Sequence, residues 1–274
     1  LSVTEFLELV AIGIGAGTWG TLIGAGGGFI IVPLLLFRDS TLEAATVTAV
    51  SLIAVLANGI SGTLAYLRQM RIDYKSGVAF LLATLPGGVI GAIIVDYIDR
   101  VPFQATFGVL LGLVALYILY RSVRGIAKAR AAQRGEPRRL VDSGGNIYEY
   151  IVNIRLGVAI CFFIGFLSSM LGVGGGIFSV PAFTLILGIP IQVAAATSQF
   201  MLIGTASVAN ITNISQGDLN GFWLNALALS IGAIAGAQLG ARLAKRIGSV
   251  WTSRALALGL LVVGVRLAIA GFSE

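Results

Sequence analysis

The 274-residue chain contains no histidine and one cysteine, Cys161, and only 11% of its residues are charged. Each scarcity excludes a class of chemistry. Without histidine there is no Ser-His-Asp or Cys-His catalysis, no Cys/His zinc site and no histidine-ligated haem or iron, and one cysteine forms no internal disulfide. Cys161 stands in an apolar run and reads as packing. No buried pair of acids is visible either, so no catalytic residue, metal site or cofactor is expected. The opening Leu1-Ser-Val-Thr-Glu5 lacks a basic segment and a cleavage site, so a removable signal peptide is not expected.

What fills the chain instead is apolar. Hydrophobic residues make up 57%, where soluble domains carry about 45–50%, and mean hydropathy is +0.96. Nothing charged lies between Glu8 and Arg38, between Arg155 and Asp218, or between Asp218 and Arg242. Each gap exceeds the roughly 20 residues that cross a bilayer. The runs are near-continuous rather than alternating, which implies helices and not a barrel. The expectation is an all-α polytopic membrane protein.

Net charge is +6, and residues 121–155 hold eight basic side chains against three acidic ones. That concentration reads as a cytoplasmic loop. A nucleic-acid partner would leave the apolar remainder unexplained, so none is expected.

Gly24-Ala-Gly-Gly-Gly-Phe-Ile-Ile-Val-Pro33 recurs as Gly172-Val-Gly-Gly-Gly-Ile-Phe-Ser-Val-Pro181, with six of ten residues identical. Ser51 then corresponds to Ser198, Asp73 to Asp218, and Gly91-Ala92 to Gly236-Ala237. Two repeats, 1–123 and 151–274, flank a basic linker at 124–150. Hydrophobic segments fall at about 6–23, 29–37, 42–67, 77–97 and 101–120, and again at about 152–171, 177–188, 191–213, 221–243 and 252–271. The segment after each glycine cluster is too short to span fully. Five segments per repeat force the two copies into opposite orientation. With both termini outside, 15 of the 18 basic residues fall on the cytoplasmic side, as the positive-inside rule requires.

Gly26-Gly27-Gly28 and Gly174-Gly175-Gly176 are poor helix formers at about 1 kcal/mol each, and Pro33 and Pro181 follow within two turns, so both helices should break. A break at membrane depth requires protein or a wet cavity around it. A half-helix starting there aims its free amides and positive dipole end at the occupant, which suits an anion. Inverted copies would bring two such ends to the midplane. Ser51 and Asn58 in the first copy, and Thr197, Ser198 and Gln199 in the second, lie on the following helices; their small polar groups can donate to an oxyanion without a buried charge. Thr48, Thr205 and Asn210 lie on the same stretches, and interhelical bonding is the alternative role for any of these side chains. The later small-residue sets, Gly87/Gly91 and Gly232/Gly236/Gly240, read as close helix packing. Gly15-Ala-Gly-Thr-Trp-Gly20 fits a dinucleotide fingerprint only by letter, since no strand precedes it, and no Walker motif is present.

The paired glycine-cluster and proline segments, the Thr197-Ser198 step, Ser61-Gly-Thr-Leu-Ala-Tyr66 and the basic linker together resemble the sulfite exporter TauE/SafE family of bacterial anion permeases, over essentially the whole chain. The resemblance implies movement of sulfite, sulfoacetate or other small sulfonates across the cytoplasmic membrane. The expected function is therefore a secondary transporter with alternating access around a midplane anion site formed by Gly26–Gly28, Gly174–Gly176, Ser51, Asn58, Thr197, Ser198 and Gln199. An anion channel that uses the same helix ends as a filter is the alternative. No carboxylate lies well inside a span, so a proton relay has no evident titrating group and the membrane potential is the expected driving force. Glycine faces can pack within one protomer or between two, which leaves a homodimer open.

Overall fold

The computed structural model of the chain describes residues 2–39, 41–99, 101–103, 105–110, 112–113, 116, 135–246 and 261. Eight helices follow one another: α1 (Val3–Ile23), α2 (Gly28–Arg38), α3 (Ala44–Gln69), α4 (Tyr74–Ile94), α5 (Ile154–Met170), α6 (Gly176–Leu185), α7 (Ile191–Gln216) and α8 (Trp223–Arg246). A short 3-10 turn, Val95–Tyr97, extends α4, and a further apolar helix covers Val101–Leu110. These bounds lie within a few residues of the hydrophobic segments expected from the sequence. Of the two fifth segments, 101–120 is described only in part, and 252–271 lies outside the described residues except at position 261.

Local chemistry sets the ends. A Ser2–Glu5 capping box starts α1, and Asp73 and Asn153 cap α4 and α5 through their side chains. Glycines in the left-handed conformation stop α1 at Gly24 and α7 at Gly217. Five described helices are long and apolar enough to cross a membrane. At 1.5 Å per residue, α2 and α6 reach about half of the roughly 30 Å hydrocarbon core. Arg38 at the end of α2 binds Glu8 near the start of α1 at 2.7 Å, so α2 doubles back beside α1.

The polarity of the bundle is that of a membrane protein. Leu64, Leu82, Ile211 and Leu227 face outward, whereas Thr21, Ser51, Asn58, Ser198 and Gln199 are buried. Glycines seal two seams. A Cβ on Gly232, Gly236 or Gly240 of α8 would stand 2.1, 2.3 and 2.2 Å from the α1 carbonyls of Val10, Ile14 and Thr18. Gly87 and Gly91 of α4 lie equally close to the α5 carbonyls of Phe162 and Phe166, at 2.1 and 2.2 Å. Both seams close within one protomer, and each joins the first half of the chain to the second.

The all-helical expectation needs one correction. Within the stretch read as a linker, Glu136–Val141 and Ile147–Val152 form an antiparallel hairpin, β1–β2, with Glu136 opposite Val152 and Val141 opposite Ile147. The cause is local: β-prone runs flank Asp142-Ser-Gly-Gly-Asn146, a turn sequence. Arg121, Arg124, Lys128, Arg130 and Arg134, which made the stretch look solvated, lie outside the described residues.

Candidate anion site at two helix breaks

Most of the residues singled out from the sequence, Thr197 excepted, lie around two broken helices that meet in the middle of the bundle. Gly24, Gly26 and Gly27 have φ values of 78°, 81° and 84°, and Gly172, Gly174 and Gly175 repeat them at 69°, 81° and 90°. Only glycine adopts this run of left-handed residues without strain. Ala25 donates its amide to the Gly20 carbonyl in one copy, and Val173 donates to the Ser168 carbonyl in the other. The chain thus turns back identically at both places. Gly28 and Gly176 are the first residues of α2 and α6, while Pro33 and Pro181 sit inside these helices rather than at the breaks.

The two turns pack directly on each other. A Cβ on Gly28 would stand 2.5 Å from the Gly172 carbonyl oxygen, and one on Gly176 would stand 2.1 Å from that of Gly24. Gly26 and Gly174 both abut the same pair of side chains, Val55 and Leu202, which lie near the middle of the 26-residue helices α3 and α7. The caps of α2 and α6, Gly27 and Gly175, supply no side-chain acceptor. The first-turn amides of both short helices therefore lack the partners that capping side chains provide, and the positive ends of their dipoles face the crossing.

Side chains from α3 and α7 fasten the crossing reciprocally. Ser51 Oγ donates to the Gly172 carbonyl at 2.8 Å, and Ser198 Oγ donates to the Gly24 carbonyl at 3.0 Å. Asn58 Nδ2 donates to the carbonyls of Gly17 and Ala233, at 3.1 and 3.3 Å. Gln199 Nε2 donates to Asn58 Oδ1 at 2.7 Å, and Thr21 Oγ1 donates to the same oxygen at 3.0 Å. Thr197 faces the other way, and its Oγ1 accepts the Asp73 amide at 3.1 Å. In this conformation the donors of Ser51, Asn58, Ser198 and Gln199 are spent on protein acceptors; what they do is hold the breaks in place.

The two ends of the bundle differ in charge. Beyond α3 and α4, Arg71 binds Asp142 of the hairpin turn through Nε and Nη2 at 3.1 and 2.9 Å, with both side chains buried. Burial alone would raise the Asp142 carboxyl, but Asn146, Arg71 and the Gly144 amide outweigh it and hold the group well below the usual carboxylate range. Tyr150 donates to Asp73 at 2.9 Å, its phenol pushed up by burial and then by that carboxylate, and the Ser143 amide donates to the Gln69 carbonyl at 3.0 Å. Asp73 thus ties the hairpin to Thr197, one residue from Ser198. At this end Leu22, Tyr66, Arg71 and Gln192 border a small space of about 10 Å³. The opposite end opens into a cavity of about 300 Å³ lined by Thr41, Glu43, Asp96 and Asp99. Asp218 stands nearby, its carboxyl raised to about 6 by burial, then by Asp96 and Glu43.

Sequence reasoning gave no site role to Thr21, to Tyr66, whose hydroxyl donates to the Thr21 carbonyl at 2.8 Å, or to Ser168 and Ser169. Their signal was position: each stands within about a turn of a glycine cluster or on the helix that packs against one. The Arg71–Asp142 latch carried no local signal, since 71 positions separate its partners.

No solved structure matches the chain at a significant level. Among curated proteins, the probable membrane transporter protein YunE of Bacillus subtilis (strain 168) is 36% identical over 278 residues, covering 97% of this chain and 98% of the relative. A probable membrane transporter protein of Xylella fastidiosa (strain 9a5c) is 27% identical over 89% of this chain and 87% of its own length. The probable membrane transporter protein MJ0441 of Methanocaldococcus jannaschii is 24% identical over 87% of this chain and 86% of its own length. The family model described as Sulfite exporter TauE/SafE matches residues 9–267. With its spanning helices and this near-complete match, the chain belongs to the TauE/SafE sulfite exporter family and is a multi-pass membrane transporter, not an enzyme.

Proposed function

We propose that the protein is a secondary transporter that moves sulfite or small organosulfonate anions, sulfoacetate among them, across the cytoplasmic membrane by alternating access around the crossing of the two breaks. The observation that carries this reading is the crossing: two half-helices with uncapped glycine starts, Gly26–Gly28 and Gly174–Gly176, meet back to back at mid-depth. Free amides and helix dipoles there favour an anion without a buried cation. Ser51, Asn58, Ser198 and Gln199 hold the crossing and release their donors as it loosens, while Thr197, turned towards Asp73, joins the site only if α7 rotates. Val55 and Leu202 fill the gap between the breaks, which favours a carrier over a channel.

In this reading residues 1–123 and 151–274 are inverted repeats; the reciprocal Ser51–Gly172 and Ser198–Gly24 bonds support it. The glycine seams weld α1 to α8 and α4 to α5, so each moving body combines helices of both halves. The described basic residues Arg68, Arg71, Lys75, Arg138, Arg139, Arg155, Arg242 and Lys245 gather at the hairpin end, against Arg38 at the other, and this supports a cytoplasmic hairpin and linker. Efflux is then favoured by the inside-negative potential, at about 2.3 kcal/mol per charge per 100 mV.

Proteoliposomes loaded with radiolabelled sulfite under anaerobic conditions test this. Saturable efflux, accelerated by an imposed outside-positive potential, is expected. Efflux that ignores the potential and depends strictly on a proton or sodium gradient would refute the driving force, and the absence of sulfite, sulfoacetate and sulfate flux would refute the transport reading.

A further inference from the structure

The two breaks share a backbone path but not their surroundings. Around the first, the side-chain donors are partnered: Thr21 and Gln199 donate to Asn58, Asn58 donates to Gly17 and Ala233, and Tyr66 donates to Thr21, so that the one orphan in this network is an acceptor, Gln199 Oε1. One turn before it stands Gly20, where a Cβ would lie 2.1 Å from the Gly27 nitrogen, so no side chain fits.

The residue in the corresponding place before the second break is Ser168. It is fully buried, and its hydroxyl has no hydrogen-bond partner. This oxygen lies 2.9 Å from where a Cβ on Gly175 would stand, beside the start of α6. The neighbouring Ser169 Oγ is likewise buried and unpartnered. So is Thr48 Oγ1 on α3, whose Cα packs against Gly172 and whose counterpart in the other copy is Ala195. Asn213 replaces Tyr66 in the second copy, and both of its side-chain amide atoms are buried without a partner. Ser169 Oγ faces Gly88 of α4 instead, so the orphan at the helix start is Ser168; buried polar atoms are nearly always bonded, and an orphan hydroxyl beside a helix start marks a missing occupant.

We propose, on the basis of the transport reading above, that the second break is the binding position, and that it takes a small oxyanion beside Gly175 through the Ser168 hydroxyl and the first-turn amides of α6. The first break is its closed structural twin. The described lysines and arginines all lie near helix ends or in the hairpin. The cradle therefore holds charge through neutral donors, and a pyramidal oxyanion such as sulfite offers an acceptor oxygen to each of several donors.

The test uses the purified full-length protein in detergent with anaerobic sulfite, sulfate and sulfoacetate as probes. Calorimetric affinity and ligand-free melting temperature are read for wild type, Ser168→Ala, Ser168→Gly and Ser168→Thr. The expected result is sulfite binding by wild type, weakened about tenfold or more in the Ala and Gly variants, rescue in Thr, and a ligand-free melting temperature for Ser168→Ala no lower than wild type. Wild-type binding that Ser168→Ala leaves unchanged overturns the proposal and spares the transport reading. So does a Ser168→Ala variant that melts early or fails to fold, because a hydroxyl kept for a ligand is dispensable to the empty protein. Wild type that binds none of the three probes overturns the transport reading and this proposal together.

Discussion

Replacing Gly176 by alanine sets two opposed effects against each other, and their difference tests whether the two breaks are pressed together. Gly176 is the first residue of α6. In an open helix, alanine is worth up to about 1 kcal/mol over glycine. Here the new methyl would stand 2.1 Å from the Gly24 carbonyl oxygen and 2.5 Å from the Ala25 Cα. Both are backbone atoms, so the first break must move. Overpacking of this kind costs about 1–3 kcal/mol. The displaced carbonyl is the one that accepts the Ser198 hydroxyl, and losing that bond adds about 1 kcal/mol. The net expectation is a destabilisation of about 1–3 kcal/mol together with slowed transport. Gly28→Ala, whose methyl meets the Gly172 carbonyl oxygen at a looser 2.5 Å, should do the same more mildly. Both substitutions pry apart one crossing, so the double variant should fall short of the sum by about 0.5 kcal/mol or more. Gly15→Ala in α1 is the control: nothing lies within 4 Å of its would-be Cβ, so it should be neutral or slightly stabilising. Reversible unfolding in mixed micelles reads all four. If Gly176→Ala is as stable as Gly15→Ala, the breaks are not in contact and the crossing is misdrawn.

Two further outcomes follow from the two ends of the bundle. Arg71→Ala leaves Asp142 buried without its cation and should destabilise the hairpin by about 3–5 kcal/mol, seen as faster backbone hydrogen exchange over residues 136–152; exchange rates equal to wild type would show that the latch is not what docks the hairpin. At the other end, the Asp218 carboxyl is raised to about 6, above its unfolded value of about 3.9. The native state therefore takes up this proton first, and stability should rise as pH falls from about 7 towards about 4. Subtracting the Asp218→Asn melting profile from that of wild type isolates this group, and a difference that is flat or of opposite slope across this range would refute the assignment.

Much of this architecture was legible because it rests on local rules. The glycine clusters are broken helices since three left-handed positions within four residues exclude other side chains there, and that constraint is written in the letters Gly24, Gly26, Gly27 and Gly172, Gly174, Gly175. The apolar runs gave the helices within a few residues because membrane thickness sets their length. What stayed hidden depends on partners remote in sequence. Asn58 reads as a free donor until α1 and α8 arrive with the Gly17 and Ala233 carbonyls. Ser168 has no evident role in the sequence until its hydroxyl proves to be orphaned while its counterpart, Gly20, is shut against Gly27. The hairpin was overlooked for a different reason: a count of arginines described the solvent-facing charge of the stretch, whereas Asp142 and Tyr150 are what fix it to the bundle.

These hidden contacts bear on how such a protein can move. Ser51 and Ser198 each tie a long helix to the break carried by the other half of the chain. Shifting α3 relative to α7 therefore strains both breaks at once, and the glycine seams transmit the shift to α1–α8 and α4–α5 as units. The hairpin latch acts on only one end, through Asp73 and Thr197, next to Ser198. In the proposed alternating-access cycle, loosening the hairpin end demands that the Asp73 bonds give way before the Ser198 bond can.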